Sequence, residues 1–318
     1  MQHSESFRAN SRAMAAMYGA VWRATGRRQL LLIALSLAVA ALAAAPLQFQ
    51  KDIVNGLVDY GDRAALLLSC LALLGVVLLS GTLKFALGYA QGVVGERVVL
   101  MIRERVYGNF VADTASRRAD TPSKGTVVAI LSAEAEVVGA FAGAAIAGPV
   151  LQIGTLVSVI AFITTQQPAL GLFALAIVLP QAAIVGFTQR RINRRVRERV
   201  QALRHASATL GDSDVRAVEQ AVLDDYRHMY ETGRRIFFLK LSTKFALSVI
   251  SAFGVVGILF IGGSLVLDGR TDVGIVVASL TGLTRIERPW RDLIAFFRQA
   301  STVRVRYELI VDSLGKRG

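Results

Sequence analysis

The chain has 318 residues, 53% of them hydrophobic and only 19% charged, with a net charge of +13. Soluble domains carry about 25% charged residues, so this composition argues against a soluble globular class and makes a membrane protein the first expectation. A single cysteine, Cys70, excludes any disulfide within the chain.

A hydrocarbon core of ~30 Å takes about 20 apolar residues in a helix. The first run of that kind is 29–50, preceded by Arg27-Arg28 and containing Ala43-Ala44-Ala45. A cleaved leader is the rival reading of this run. Against it, some 28 residues come first, and the later runs need no leader. The second span, 64–90, holds Cys70 and, near its end, Lys84, whose stem is long enough to carry the ammonium to the headgroups. Gly88-x-x-x-Gly92 within it, like Gly139-x-x-x-Gly143 further on, permits close helix contact.

Residues 91–144 are too long and too charged for a simple loop, yet Val94, Val98, Ile102, Val106 and Phe110 keep the spacing of one helix face. A turn-rich break, Asp120-Thr121-Pro122-Ser123-Lys124-Gly125, divides them. Spans three and four, 145–165 and 168–188, are separated by Thr164-Thr165-Gln166-Gln167-Pro168. The second excursion, 189–244, repeats the design of the first. Ile192, Val196, Val200, Leu203 and Leu210 share one face, Arg190, Arg191, Arg194, Arg195, Arg197 and Arg199 cover the remainder, and Gly211-Asp212-Ser213-Asp214 is the break. At ~1.5 Å per residue, the legs 91–114 and 189–210 reach roughly 36 and 33 Å. Two stalks of matched length offer a docking surface. The arginine cluster reads either as a solvated face near anionic headgroups or as a specific nucleic-acid or lipid site.

Spans at 245–267 and 273–297 complete a count of six. Lys and Arg number 5 in residues 1–28, 6 in 91–144, 13 in 189–244 and 5 in 298–318, whereas the alternate connections hold Lys51, Arg63 and Arg270. That asymmetry puts both termini and both excursions in the cytoplasm. The basic charge orients the protein and does not call for nucleic acid.

The order of elements resembles the six-helix transmembrane domain of an ATP-binding-cassette (ABC) exporter. The resemblance rests on an ordered set of pieces. Pro46 is followed by Asp52-Ile53-Val54, and Gly95-Glu96-Arg97 through Met101-Ile102-Arg103 leaves the second span. Ser123-Lys124-Gly125 stands where the family has a turn ending in glycine. Ile130-Leu131-Ser132-Ala133-Glu134 stands where it has an Arg-Leu-Thr-Asn-Asp run, with Ala-Glu replacing Asn-Asp. Gly262 through Gly274 is the nearest match, followed by Pro289. It implies an all-α fold of six transmembrane helices with two long cytoplasmic helical hairpins, over residues 18–314, flanked by a cytoplasmic segment 1–17 and a tail 315–318.

The resemblance further implies a dimer, with a second copy or a homologous subunit, in which the hairpin tips at 116–124 and 211–218 are coupling helices. Arg117, Arg118, Asp120, Thr121, Gly211, Asp212, Asp214 and Arg216 would then meet a nucleotide-binding ATPase. No Gly-x-x-x-x-Gly-Lys-Ser/Thr loop occurs in these 318 residues, the one Gly-Lys pair being Gly315-Lys316. The expectation is therefore no catalytic residue and no cofactor on this chain, with ATP and Mg on a partner supplied in trans. A non-transporting scaffold that keeps the fold, and a fragment of a longer fused transporter, are the competing readings. His3, His205 and His228 lack metal-ligand spacing. The expected location is the plasma (inner) membrane, with lipid as a further partner.

Residues 285–292 carry five charges where the sixth span should lie, and each charge at the bilayer centre costs about 2.5–3.5 kcal/mol on insertion scales. At 100° per residue Arg285, Glu287, Arg288, Arg291, Asp292, Arg298 and Gln299 take one half of the cylinder. Ile286, Pro289, Trp290, Leu293, Ile294, Phe296 and Phe297 take the other. The helix is expected to have a wet side, and in the family this helix lines the translocation path. Glu287–Arg291 and Arg288–Asp292 are spaced for pairing within the helix. Two readings stand: intrahelical pairs in a solvated vestibule, or Arg285, Arg288 and Arg291 binding an anionic substrate group.

Overall fold

The computed structural model describes residues 2–58, 63–115, 124–212 and 219–314, and among these every regular element is a helix. In chain order they are α1 (Gln2–Ala41), α2 (Ala45–Val58), α3 (Arg63–Ala115), α4 (Lys124–Ala129), a π turn (Ile130–Glu134), α5 (Ala135–Ala144), α6 (Ala147–Gln166), α7 (Pro168–Asp212), α8 (Glu219–Leu267) and α9 (Val273–Leu314). Five stretches among the described residues are long and apolar enough to cross a membrane: Val21–Val58, Arg63–Ala112, Ile130–Gln166, Pro168–Val196 and Leu223–Leu267. The expected sixth span is helical, but α9 is not in that set. Its first eighteen residues already include Arg285, Glu287 and Arg288.

The chain divides into two compact units, Met1–Ile163 with Val273–Gly318, and Thr164–Asp272. In the first, the expected span 29–50 is not one helix. A turn at Leu42–Ala44 separates α1 from α2, and Pro46 sits in the first turn of α2, where its missing N–H breaks no helical bond. Its core gathers Val21, Val98, Val106, Val138, Phe141, Ala142, Ala300 and Val303. Phe141 stacks on Phe296 at 5.3 Å and meets the edge of Tyr18 at 6.1 Å; burial pushes the Tyr18 phenol above its ordinary pKa. Val94, Val98 and Val106 are buried and Ile102 and Phe110 pack beside them, so the first leg's apolar face lies where its spacing places it.

The two glycine pairs behave differently. A Cβ on Gly139 would lie 2.8 Å from the Gly95 carbonyl oxygen, and one on Gly143 would strike the Gln91 carbonyl, so α3 and α5 touch backbone to backbone. Gly88 and Gly92 have nothing within 4 Å of such an atom. Where α5 gives way to α6, the fully buried Gln29 donates from Nε2 to the Ala142 carbonyl at 3.0 Å, satisfying an acceptor at a helix end.

The π turn falls on the segment that replaces the family's Arg-Leu-Thr-Asn-Asp run. A π turn widens the helix and weakens its own bonding; here Arg103 Nε donates to the Leu131 carbonyl at 2.8 Å. Glu134 Oε2 lies 3.0 Å from Arg306 Nη1. That oxygen has no partner in hydrogen-bond alignment, so the link between the hairpin and the end of α9 is a contact of charges. Gly125, expected to end a turn, is the second residue of α4.

In the second unit α7 and α8 pack along each other. Gly257 leaves room for the Phe173 ring, and Gln181 Nε2 donates to Ser251 Oγ at 3.1 Å. The break between spans three and four is one residue, Gln167, with Pro168 opening α7. Helix α8 ends in a Schellman motif: the Arg270 N–H reaches the Leu265 carbonyl at 2.8 Å and the Gly269 N–H reaches Val266 at 3.0 Å. Gly269 is left-handed, with φ +67°, as that motif requires at the position after the cap. On the second leg Ile192 is buried, whereas Val196 is 42% exposed. The side chains of Val200, Leu203 and Leu210 lie outside the described residues.

Candidate functional site

Helices α3, α6 and α9 each turn one face to a common cavity of about 650 Å³ in the first unit, closed on another side by the α1–α2 turn. The turn contributes Leu42 and Ala43, and the start of α2 contributes Pro46. From α3 come Val77, Ser80, Gly81 and Lys84, at steps of three, one and three, which is a single helix face. Leu151, Gln152, Thr155 and Val159 come from α6, and Thr284, Arg285, Arg288, Pro289 and Asp292 from α9.

The α9 segment splits as its periodicity requires. Arg285, Arg288, Arg291, Arg298 and Gln299 are exposed and Glu287 and Asp292 half-buried, whereas Ile286, Pro289 and Leu293 are buried. Phe297, expected on the apolar half, is exposed. Pro289 has no N–H to give the Arg285 carbonyl, so the helix lacks one bond at the cavity wall.

Three cations face one carboxylate. Arg288 Nε stands 3.8 Å from Asp292 Oδ2, so that i,i+4 spacing closes. Gln152 Nε2 donates to the same Oδ2 across the cavity at 3.4 Å. Asp292 is thereby held by α6 and α9 together. Lys84 and Arg285 have no ion-pair or hydrogen-bond partner among the described residues. The lining carries a net charge of +2, a field that favours an anion.

The residues expected on the wet side of α9 thus divide. Arg285, Arg288 and Asp292 line the cavity, while Glu287 and Arg291 are not part of its lining. Lys84 lines the cavity with the first group. Its signal was present in the sequence: it follows Ser80 and Gly81 on one α3 face, and Gln152 and Thr155 are polar one turn apart in apolar α6.

Of the residues expected at the hairpin tips, Arg117, Arg118, Asp120, Thr121, Asp214 and Arg216 lie outside the described residues, and Gly211 and Asp212 are the last two of α7. The legs leading to them are continuous, α3 over 53 residues and α7 over 45. That is more than twice the ~20 residues a bilayer needs. Among the described residues no group of three His, Cys, Asp or Glu side chains could hold a metal ion.

The family model described as the ABC transporter transmembrane region matches residues 30–213. No curated protein matches the chain. The match covers more than half of the sequence, and with it both long legs, most of the first membrane stretch and all of the next three, so the chain belongs to that family. It is a multi-pass integral membrane protein and a membrane component of an ABC transporter.

Proposed function

We propose that this member of the ABC transporter transmembrane region family is the membrane-spanning subunit of an ATP-driven exporter, working as a dimer with nucleotide-binding domains outside these 318 residues. The transmembrane domain occupies 18–314, both termini and both hairpins are cytoplasmic, and the membrane is the plasma (inner) membrane. The observation that carries the reading is the pair of unbroken legs. Past residues 90 and 188, α3 and α7 continue for about 37 and 36 Å respectively, and apolar burial in a bilayer accounts for neither extension.

Arg117, Arg118, Asp120 and Thr121 on one tip, and Gly211, Asp212, Asp214 and Arg216 on the other, dock on the nucleotide-binding partner, which holds ATP and Mg. This chain performs no covalent chemistry. Closure of the partner domains moves the tips, and the legs carry that movement to the cavity. Lys84 and Arg285 receive the anionic group of the substrate, while Asp292, fixed by Gln152, engages Arg288 and limits the net charge. The apolar members of the lining accept the rest of an amphipathic molecule.

Purification of the tagged chain from its native membranes tests the reading. An ATPase that co-purifies and is stimulated by amphipathic anions is the expected result; recovery without ATPase activity favours a non-transporting scaffold. In reconstituted vesicles, Lys84→Gln with Arg285→Gln lowers uptake of an anionic amphiphile by roughly a hundredfold or more, since each of the two charge-assisted hydrogen bonds contributes about 1.5–3 kcal/mol. Arg291→Gln leaves it unchanged. Equal uptake by the double variant discards the anion site without touching the ATPase result.

A further inference from the structure

A second basic cluster lies wholly in the unit Thr164–Asp272. Two adjoining hollows open there between α7 and α8. One, of about 270 Å³, is lined by Arg191, Arg194, Arg195 and Leu239; the other, of about 460 Å³, by Arg195, Arg234, Arg235, Phe238 and Leu239. Arg195 and Leu239 are common to both. Five guanidinium groups therefore converge over an apolar floor.

Part of this charge is already spent. Glu198 lies 3.3 Å from Arg194 and 3.0 Å from Arg195, and Glu231 lies 3.0 Å from Arg234. Arg191 stands over the Phe187 ring at 4.4 Å, a contact that leaves its N–H donors available. Arg235 has no partner among the described residues. Five cations against two carboxylates leave the cluster at +3.

Depth and surroundings select the ligand. Arg191 and Arg195 stand three and seven residues past residue 188, about 5 and 10 Å along the helix. The headgroup layer occupies about 5–8 Å on each side of the hydrocarbon, so Arg191 lies within it and Arg195 just past its outer edge. Phe187, Phe237 and Phe238 are 59%, 65% and 72% exposed, and aromatic side chains at that level are typical of a membrane interface. A small soluble anion gains nothing from Phe238 and Leu239, and a nucleic acid can stack a base on Phe238 but leaves Leu239 uncovered; a lipid covers both.

We propose that this cluster binds the phosphate headgroup of an anionic phospholipid, with Arg191, Arg195 and Arg235 on the phosphate oxygens and an acyl chain along Phe238 and Leu239. Guanidinium matches phosphate with two parallel N–H donors, so the site selects more than surface potential does. It depends on α7 crossing the membrane and not on which side the hairpin faces, nor on transport.

The test uses the full chain in nanodiscs of phosphatidylcholine with and without phosphatidylglycerol, reading the lipids retained by native mass spectrometry after delipidation. Phosphatidylglycerol is expected to be retained over phosphatidylcholine of the same chains, with about fivefold lost for each guanidinium removed in Arg191→Gln, Arg195→Gln and Arg235→Gln. Arg191→Gln and Arg235→Gln touch no carboxylate and serve if the triple variant fails to fold. Arg235→Lys keeps charge but loses the paired donors, and retains part of the preference. Equal retention of both lipids, or retention unchanged by the Gln variants, overturns the proposal. Displacement of the lipid by millimolar glycerol phosphate assigns the site to a soluble phosphate instead, and displacement by a short RNA assigns it to nucleic acid; either result also overturns it.

Discussion

Replacing Gly143 with alanine tests the backbone contact between α3 and α5. The new Cβ would strike the Gln91 carbonyl oxygen, with the carbonyl carbon at 3.0 Å and the Gly95 nitrogen at 3.3 Å. All three atoms are backbone, so no side chain can turn aside and the helices must separate by about an ångström. Overpacking of this kind costs about 1–3 kcal/mol, and the upper end applies because the same movement loosens Val138, Phe141 and Ala142 in the core. Alanine recovers about 0.8–1 kcal/mol of helix propensity, leaving a net loss near 2 kcal/mol. Gly92→Ala meets nothing within 4 Å and keeps the propensity gain alone, so the two variants should differ by about 3 kcal/mol. Unfolding of both in detergent, followed by circular dichroism against temperature and denaturant, reads the difference. A Gly143→Ala protein as stable as Gly92→Ala would refute the assigned contact.

Gln29→Leu leaves the Ala142 carbonyl without its side-chain donor and should cost about 1–3 kcal/mol, seen as a lower unfolding midpoint in the same assay. Glu134→Arg and Arg306→Glu should each destabilise, and the double variant should recover most of the loss; the coupling is about 1 kcal/mol or less because both side chains are partly exposed. Hydrogen bonding from Arg195 holds the Glu198 carboxyl below its ordinary pKa. Its contribution is therefore present above the unfolded carboxylate value of about 4.3 and is lost as pH falls through the lower folded value. Thermal unfolding of wild type and Glu198→Gln should differ at neutral pH and converge in acid.

Much of the helical layout was readable because membrane helices obey a length rule and a periodicity rule at once. The Gln167-Pro168 break, the legs to Ala115 and Asp212 and the face of Val94, Val98 and Val106 follow from these. What stayed hidden depends on tertiary packing. The turn at Leu42–Ala44 lies within an alanine-rich apolar run that reads as continuous helix. Gly88-x-x-x-Gly92 and Gly139-x-x-x-Gly143 are identical as spacings, and only the approach of α5 to α3 distinguishes them. At the cavity, the wet half of α9 was legible from 100° periodicity, whereas the omission of Arg291 and the inclusion of Lys84 needed the positions of α3 and α6. A lysine near the end of a span can snorkel or turn inward with the same local sequence.

The central claim is that two helical stalks carry their tips into the cytoplasm to meet the ATPase domains. In a Cys70→Ser background, Thr121→Cys and Asp214→Cys should react with a membrane-impermeant maleimide in inverted vesicles and not in sealed right-side-out ones. Labelling from the outer side, or from neither side until the membrane is dissolved, would contradict the account.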